Sequence, residues 1–502
     1  MKKINIISIL LLFAGLFACT DLKEEPYLLA PESFFKTKKD VEAGIFGAYG
    51  HMAAETYWGR KFSLTIMLRS DMVDIGNRAT PSRRVQINDF TSDAYSGMTS
   101  VFWPRSYQII SAANSAIAGA EGLAGELDET TVNELIAEAR FIRSFAYFNL
   151  VRLFGDIPYI GEAVSDPESL FEISKTSKED VYANIVADLE FAKANLPMTQ
   201  NSSSRAKRAS AYAMLADVHL TLENWSDAYA NAKWVIDNAA ASDIDLEADY
   251  QDLFDASKHD GMKEHLFTID FLGQAKGGSG GIGVDYITTL TGTQNSDIPG
   301  WGAAVPSMAV YNDWDDRDYR KSVAFLTHQY FNGELKHYSE FPTEKRPHID
   351  KYNRFPGNAG FANSQSDINY AVYRYADVLL MAAEAGNEVT GPNAELEGYV
   401  DLIRERARNA AGTMNDFPEN VASGLSKDEF RDMVLEERRL ELSFEFKRWW
   451  DISRRKLGDK VFKGTNSLEP HDNFNDTKYL LALPQDELDR NPNLLPQNQG
   501  YN

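Results

Sequence analysis

Residues 137–158 read AEARFIRSFAYFNLVRLFGDIP, and the spacing of their apolar side chains decides the architecture. Leu135, Ala139, Ile142, Ala146 and Leu153 recur at helical spacing, and Phe141, Phe145 and Phe148 form a second apolar stripe beside them. Two stripes leave little polar face, so the segment reads as an inner helix. Gly155 stands where a left-handed cap would end it, and Pro158 blocks resumption three residues later.

Helical periodicity extends to both sides of this segment. Ser33 to Met52 reads as a helix with Phe34, Val41, Ile45 and Tyr49 on one side, and Tyr107 to Ala120 as another burying Ile109, Ile110, Ala113 and Ile117. Val181 to Pro197 places Ile185, Leu189 and Ala192 at helical spacing. Residues 206–238 form a helix-turn-helix. Its small residues Ala209, Ala213 and Ala216 admit a close partner, Trp225 closes the turn, and Ser226 is placed to N-cap a second helix carrying Ala228, Ala232 and Val235. A further pair spans 369–410. One such pair cannot bury its own face, so several must stack, as in a tetratricopeptide superhelix. Residues 54–100 are mixed and turn-rich. Residues 242–367 lose the helical period and gain Gly, Asn and clustered aromatics, which reads as a loop-rich lobe.

The wording of several segments resembles the SusD/RagB family of outer-membrane nutrient-binding lipoproteins of Bacteroidetes. Besides 137–158, these are Trp103-Pro104 with Tyr107, Ala113 and Asn114; residues 181–197; Arg374-Tyr375-Ala376-Asp377-Val378-Leu379-Leu380; Glu436-Glu437-Arg438-Arg439-Leu440-Glu441-Leu442; and the tail LALPQDELDRNPNLLPQNQGY. The resemblance implies a mainly α SusD-like fold over residues 31–502, with tetratricopeptide-like helix pairs at about 132–238 and 369–455 and a variable lobe at about 242–367. It also implies a surface protein that binds oligosaccharides without cleaving them. Such a protein hands its ligand to a SusC-like TonB-dependent transporter, over which it sits as a lid. Two other binding roles stay open at this level, capture of a peptide or other nutrient and a pure protein-gripping scaffold. A secreted glycoside hydrolase is the competing enzyme class.

The N-terminus fits export. Lys2 and Lys3 precede an apolar run from Ile4 to Phe17, too short for a bilayer span of roughly 20 residues, and Ala18-Cys19 closes it. Residues 1–18 read as a lipoprotein signal peptide, Cys19 as the lipidated residue and 19–30 as a tether. Cys19 is the single cysteine of the chain, so no disulfide supports the fold. Asp21, Glu24 and Glu25 behind it resemble the signal for display on the outer face. Membrane contact is expected through the Cys19 lipid alone.

Loss of Lys2 and Lys3 with the leader takes the formal net charge from −23 to −25. A chain this acidic is a poor nucleic-acid binder. Gly278-Ser279-Gly280-Gly281-Ile282-Gly283 fits G-x-G-x-x-G, but Val284 to Gln294 does not open a helix as a dinucleotide site requires. Asp313-Trp314-Asp315-Asp316-Arg317-Asp318 fails as a calcium loop because Arg317 and Asp318 occupy the third-ligand and glycine positions, and reads as structural ion pairing. No cofactor, metal site or catalytic residue is expected. Sugar rings present a face of C–H bonds that an exposed aromatic plane can match at small entropic cost. Trp225, Trp234, Trp449 and Trp450 lie in helical patterns and read as core. Trp301, between Pro299-Gly300 and Gly302, heads the ligand-binding candidates, followed by Trp103, Tyr95, Tyr286, Trp58 and Trp314, with Arg83 and Arg84 as donors to hydroxyls or a carboxylate.

Overall fold

The computed structural model describes residues 34–273, 281–298, 300–357 and 365–501. The leader, Cys19 and the tether lie outside the described residues. Helix Glu129–Phe154 is the inner helix that its two stripes predict. Asp128 caps it by accepting from the Thr131 amide, and almost every side chain from Leu135 onward is buried. Gly155 ends it at φ +71° and ψ −122°, a positive φ outside the left-handed helical region, with its amide donating to Val151 O. Helices Thr99–Gly122 and Lys178–Asn195 flank it. Arg143 joins all three. Its guanidinium donates to both Asp188 oxygens at 2.8 and 2.7 Å and to Asn114 Oδ1 at 2.8 Å, while Asn114 Nδ2 donates to Ile160 O and Glu162 O. Burying these polar groups costs nothing like the usual penalty, because each finds a partner.

Helices Arg208–Thr221 and Trp225–Asp237 pack together and against Tyr375–Thr390, which in turn packs on Ala394–Arg408 and Lys427–Glu441. Ala209, Ala213, Ala216, Ala228 and Ala232 are buried at these contacts. Three local expectations change. Asn224 takes the N-cap position, so Trp225 and Ser226 become the first two residues of the helix. The helix expected from Ser33 runs Lys38–Met52, because the Thr37 side chain accepts from the Asp40 amide and starts it there, leaving Phe34 outside it and exposed. Residues 370–374 are not helical. Tyr370–Arg374 is a strand paired antiparallel with His265–Ile269, as suits an aromatic and β-branched run, and the helix begins only at Tyr375. Of the four Trp expected in the core, Trp449 and Trp450 are buried, whereas Trp225 and Trp234 are half-buried on the flank. There Trp234 stacks on Tyr212 at 3.8 Å.

Segment 242–367 carries short strands and short helices, and while Tyr250, Leu253, Phe254, Met262 and Val323 and the trio Leu326, Phe331 and Phe341 form small clusters of their own, many of its apolar residues join the main core. Leu266, Phe267, Leu290, Val310, Trp314, Phe325, Ile349 and Tyr352 belong to the same buried cluster as Phe141 and Phe145. The Asp313–Asp318 run is tied up in ion pairs: Asp313 with Arg439, Asp315 with Arg317, Asp316 with Lys321 and Asp318 with Arg320.

A buried ion network fastens this segment to the C-terminal helices. Arg374, at the strand-helix junction, reaches Glu264 at 2.7 Å, Glu441 at 2.6 Å and Glu445 at 2.8 Å. Arg406 binds Glu264 and Glu441, Arg320 binds Asp318, Glu437 and Glu441, and Lys351 binds Glu445. Burial by itself would raise the Glu441 carboxyl, but the charges of Arg406, Arg374 and Arg320 outweigh it and hold the group well below the ordinary carboxylate range. Removing one member strands buried charge at a cost of about 3–5 kcal/mol. Glu441→Gln is therefore expected to lower the unfolding free energy in guanidinium by about 3 kcal/mol at pH 7. A carboxyl depressed in the folded state contributes stability above its unfolded value near 4.5 and loses it as pH falls from there. The variant should thus show a shallower stability loss below pH 4.5 than the parent. A loss under 1 kcal/mol at pH 7 would count against the network.

Candidate functional site

Four short backbone stretches cross here, and glycines allow them to touch. Residues 53–60 meet 281–286 through Glu55 N to Gly281 O, Gly283 N to Ala53 O and Tyr286 N to Gly59 O, at 2.8 to 3.0 Å. A β-carbon on Gly59 would stand 2.0 Å from Val284 O, so no other residue fits. Residues 300–303 strap the short helix Ile287–Thr291. Gly300 N donates to Thr293 O, Trp301 N to Thr289 O, Gly302 N to Gly292 O and Ala303 N to Leu290 O. Gly300 crosses directly over Gly292, where a β-carbon would meet the Gly292 carbonyl carbon at 2.2 Å. The fourth stretch joins through Asn77, whose amide donates to Gly302 O and whose side chain donates to Gln294, which in turn donates to Trp301 O.

This scaffold sets two aromatics side by side. Tyr286 immediately precedes the short helix, and Trp301 returns along its far end. Their rings stack with centroids 5.8 Å apart and planes inclined by 29°. Asp285 fixes the start of the helix by accepting from the Ile287 amide, Ser366, Thr288 and Tyr370. Burial pushes its carboxyl up to about 6 despite those donors. Guanidinium groups frame the pair, with Arg60 over the Tyr286 ring at 4.8 Å and Arg84 over the Trp301 ring at 5.4 Å. Such contacts contribute about 0.5–1 kcal/mol each at partly exposed sites. Arg84, in helix Ser82–Asn88, is 5% exposed and donates to Thr80 Oγ1. Beside it the stem of Arg83 lies over Gly97. Trp301, Tyr286, Arg60 and Arg83 are all half-buried, so the cluster is a surface platform rather than core.

Both halves of the chain match family models. Residues 303–501 match the model described as SusD family, and residues 22–220 the model described as starch-binding associating with outer membrane. A relative called SusD-like protein P2, from Formosa agariphila, is 48% identical, with 100% of each chain covered. The chain belongs to the SusD family. Its fold agrees with a solved SusD homolog from Bacteroides thetaiotaomicron at a TM-score of 0.81 and 22% identity, over 94% of this chain and 98% of that one. It also agrees with the surface glycan-binding protein A of the same species, solved in complex with laminarihexaose, at a TM-score of 0.74 and 19% identity, over 92% and 100%.

Within this SusD-family fold, Trp301, Tyr286, Arg83 and Arg84 fall into one cluster, and Arg60 and Lys61 join them. The latter two follow Trp58-Gly59 in a turn-rich stretch, a basic doublet after a glycine being the one sequence signal for them. Three other candidates are core. Trp58 is 5% exposed against Phe62, Phe145 and Phe446, and Trp314 is buried edge-on to Phe325. Trp103 is buried edge-on to Phe154 and lines an apolar cavity of about 420 Å³ together with Tyr107, Leu170 and Phe171. In each case turns or helix starts nearby leave the ring free to swing inward onto the aromatic core. Tyr95 is 75% exposed, with no ring partner among the described residues. Gly281 to Gly283 serve the backbone crossing, and residues 278–280 lie outside the described residues; contrary to the expectation for Val284 to Gln294, that stretch carries the short helix Ile287–Thr291, which starts at Ile287 and not directly after Gly283 as a dinucleotide site requires. Gly300→Ala should overpack the crossing, cost about 1–3 kcal/mol in urea unfolding and weaken the near-ultraviolet circular dichroism of the Trp301–Tyr286 pair. Parent-like values in both measurements would mean that the strap does not hold the platform.

Proposed function

We propose that this SusD-family chain is a cell-surface lipoprotein that captures oligosaccharide on the Trp301–Tyr286 platform and passes it to a SusC-like TonB-dependent transporter, for which it acts as the lid. The observation that carries this reading is the stacked, partly exposed pair itself, held by backbone straps and framed by guanidinium donors. Two rigid aromatic planes offer apolar faces to sugar C–H bonds, and the arginines offer hydrogen bonds to hydroxyls at the edge. Nothing in that function requires bond cleavage, so the mechanism is binding and release. Support comes from the solved relatives named as glycan-binding, and from the outer-membrane association in the description of the N-terminal family model.

Each stacking contact contributes about 0.5–1.5 kcal/mol beyond area burial, so one platform gives modest affinity suited to delivery. Lipid tethering through Cys19 compensates by concentrating the protein at the transporter mouth. In affinity electrophoresis, the chain from Thr20 onward should be retarded by a polysaccharide, and Trp301→Ala should weaken that retardation about 10-fold. Retardation by no polysaccharide, or an unaffected variant, overturns the reading. Cys19→Ala is expected to leave the protein unlabelled by radioactive palmitate and absent from the membrane fraction. Labelling that survives the substitution would refute lipidation at Cys19.

A further inference from the structure

The platform is unusual in its charge. Arg60, Lys61, Arg83 and Arg84 act on one another electrostatically, and the carboxylate acting most on Lys61 and Arg84 among the described residues is Glu55, which pairs with Arg60. Lys61, Arg83 and Arg84 have no carboxylate within ion-pair distance among the described residues, although the chain carries 74 acidic residues. Lys61 is 8% exposed and Arg84 is 5% exposed, and the Arg83 Nε is buried without a hydrogen-bond partner. Burying like charges together opposes folding, because each loses hydration and repels the others. The consequence is visible in the groups themselves. Burial, then Arg60, Arg83 and Arg84, pushes the Lys61 ammonium down to about 8 against the pull of Glu55, and burial with Arg60 and Arg83 pushes Arg84 down to about 10.

Elsewhere among the described residues most buried cations are neutralised; the exceptions are Lys207, which feels Asp243, and Arg69, which lies over the Phe90 and Trp449 rings and donates to Lys478 O. Arg320, Arg374, Arg406, Arg438 and Arg454 each meet carboxylates at ion-pair distance. The platform departs from that pattern by gathering several such cations together beside a stacked aromatic pair framed by guanidinium groups. A missing counter-charge at a ligand platform is the arrangement expected when the ligand brings the counter-charge.

We infer that the platform takes an acidic glycan, one whose sugar ring stacks on Trp301 and Tyr286 while its carboxylate or sulfate group neutralises Lys61, Arg83 and Arg84. The inference rests on the proposed glycan capture and narrows its ligand class. Arg84 and Arg60 already lie over the rings, so an anionic substituent on a stacked sugar would fall among cations on both sides. Guanidinium groups bind planar carboxylate and sulfate oxygens through paired donors, and Lys61 adds a point charge. In a chain of net charge −23, such a patch also steers acidic glycans toward this spot.

The test uses matched pairs of polymers: polygalacturonate against its methyl ester, and a sulfated galactan against agarose. The lipid-free chain should be retarded by an acidic member and not by its neutral counterpart, and the responding pair tells carboxylate from sulfate. Binding should weaken at least 10-fold between 20 and 300 mM NaCl. Lys61→Met and Arg83→Gln, which touch neither ring, should each reduce retardation about 5-fold or more. Lys61→Met should at the same time raise the melting temperature, since it removes a charge buried against its neighbours, a combination that a merely structural lysine would not give. Equal retardation by the acidic and neutral members, lost in Trp301→Ala, overturns the acidic specificity and leaves glycan capture standing. Acidic preference unchanged in both charge variants also overturns it. Retardation by none of the four polymers, nor by laminarin, sinks both proposals together.

Discussion

Arg374 is the residue on which the two halves of the fold converge. It stands where strand Tyr370–Arg374 turns into helix Tyr375–Thr390, and its guanidinium spans Glu264, just before strand His265–Ile269, and Glu441 and Glu445 from the C-terminal region. A buried ion pair adds little net stability over a well-packed apolar substitute, but its geometry is exacting and its disruption is costly. That asymmetry makes it a register device. The strand cannot slip by one residue without pulling Arg374 out of three carboxylates at once. Lys447 and Arg438 hold Asp377 in the next turn, and Arg438 and Arg454 meet at Asp451. The family-like wording at 374–380 and 436–442 thus corresponds to one continuous piece of electrostatics.

The register set by Arg374 reaches the platform in two steps. Tyr370, four residues upstream on the same strand, donates its hydroxyl to Asp285, and Asp285 organises the start of the helix that Tyr286 precedes. The backbone straps then place Trp301 against Tyr286. Similar burial therefore yields opposite chemistry in two places. In the network every cation has an acid, and the groups are fixed in their charged forms. At the platform Lys61 and Arg84 lack one, and burial moves both toward the neutral form. The first arrangement holds the fold together, and the second spends some of its stability on a surface that a ligand can complete.

Helical periodicity made most of the scaffold legible. The two stripes of 135–153, the cap at Gly155 and the alanine faces of 209–235 all repeat within a single turn or two, so the pattern is complete in local sequence. Strand 370–374 is lost in the same reading, because five residues are too few to show period two when a strong helical pattern follows at once. Turn context singles out Trp301 and Tyr286 as able to face water but equally Trp58, Trp103 and Trp314, since whether a ring swings in or out depends on partners such as Phe145, Phe154 and Phe325 that are distant in sequence. Lys61 is the clearest case. Its burial and its lack of a carboxylate depend on side chains contributed by helix Ser82–Asn88, and neither property has any local sequence signature.

The way the platform is held explains how one fold can serve different ligands. Trp301 and Tyr286 are positioned almost wholly by backbone hydrogen bonds and by glycines whose absent β-carbons let the strands touch. Such straps do not depend on the identity of the side chains they carry. Replacing Lys61, Arg83 or Arg84 would change the charge of the platform without touching a strap, whereas a β-carbon at Gly59 or Gly300 would force the crossing backbones apart. Specificity and geometry are therefore separable here. In the proposed capture, the chemistry of the ligand is met by the basic side chains and the two rings, and the shape that receives it is set by the glycines between them.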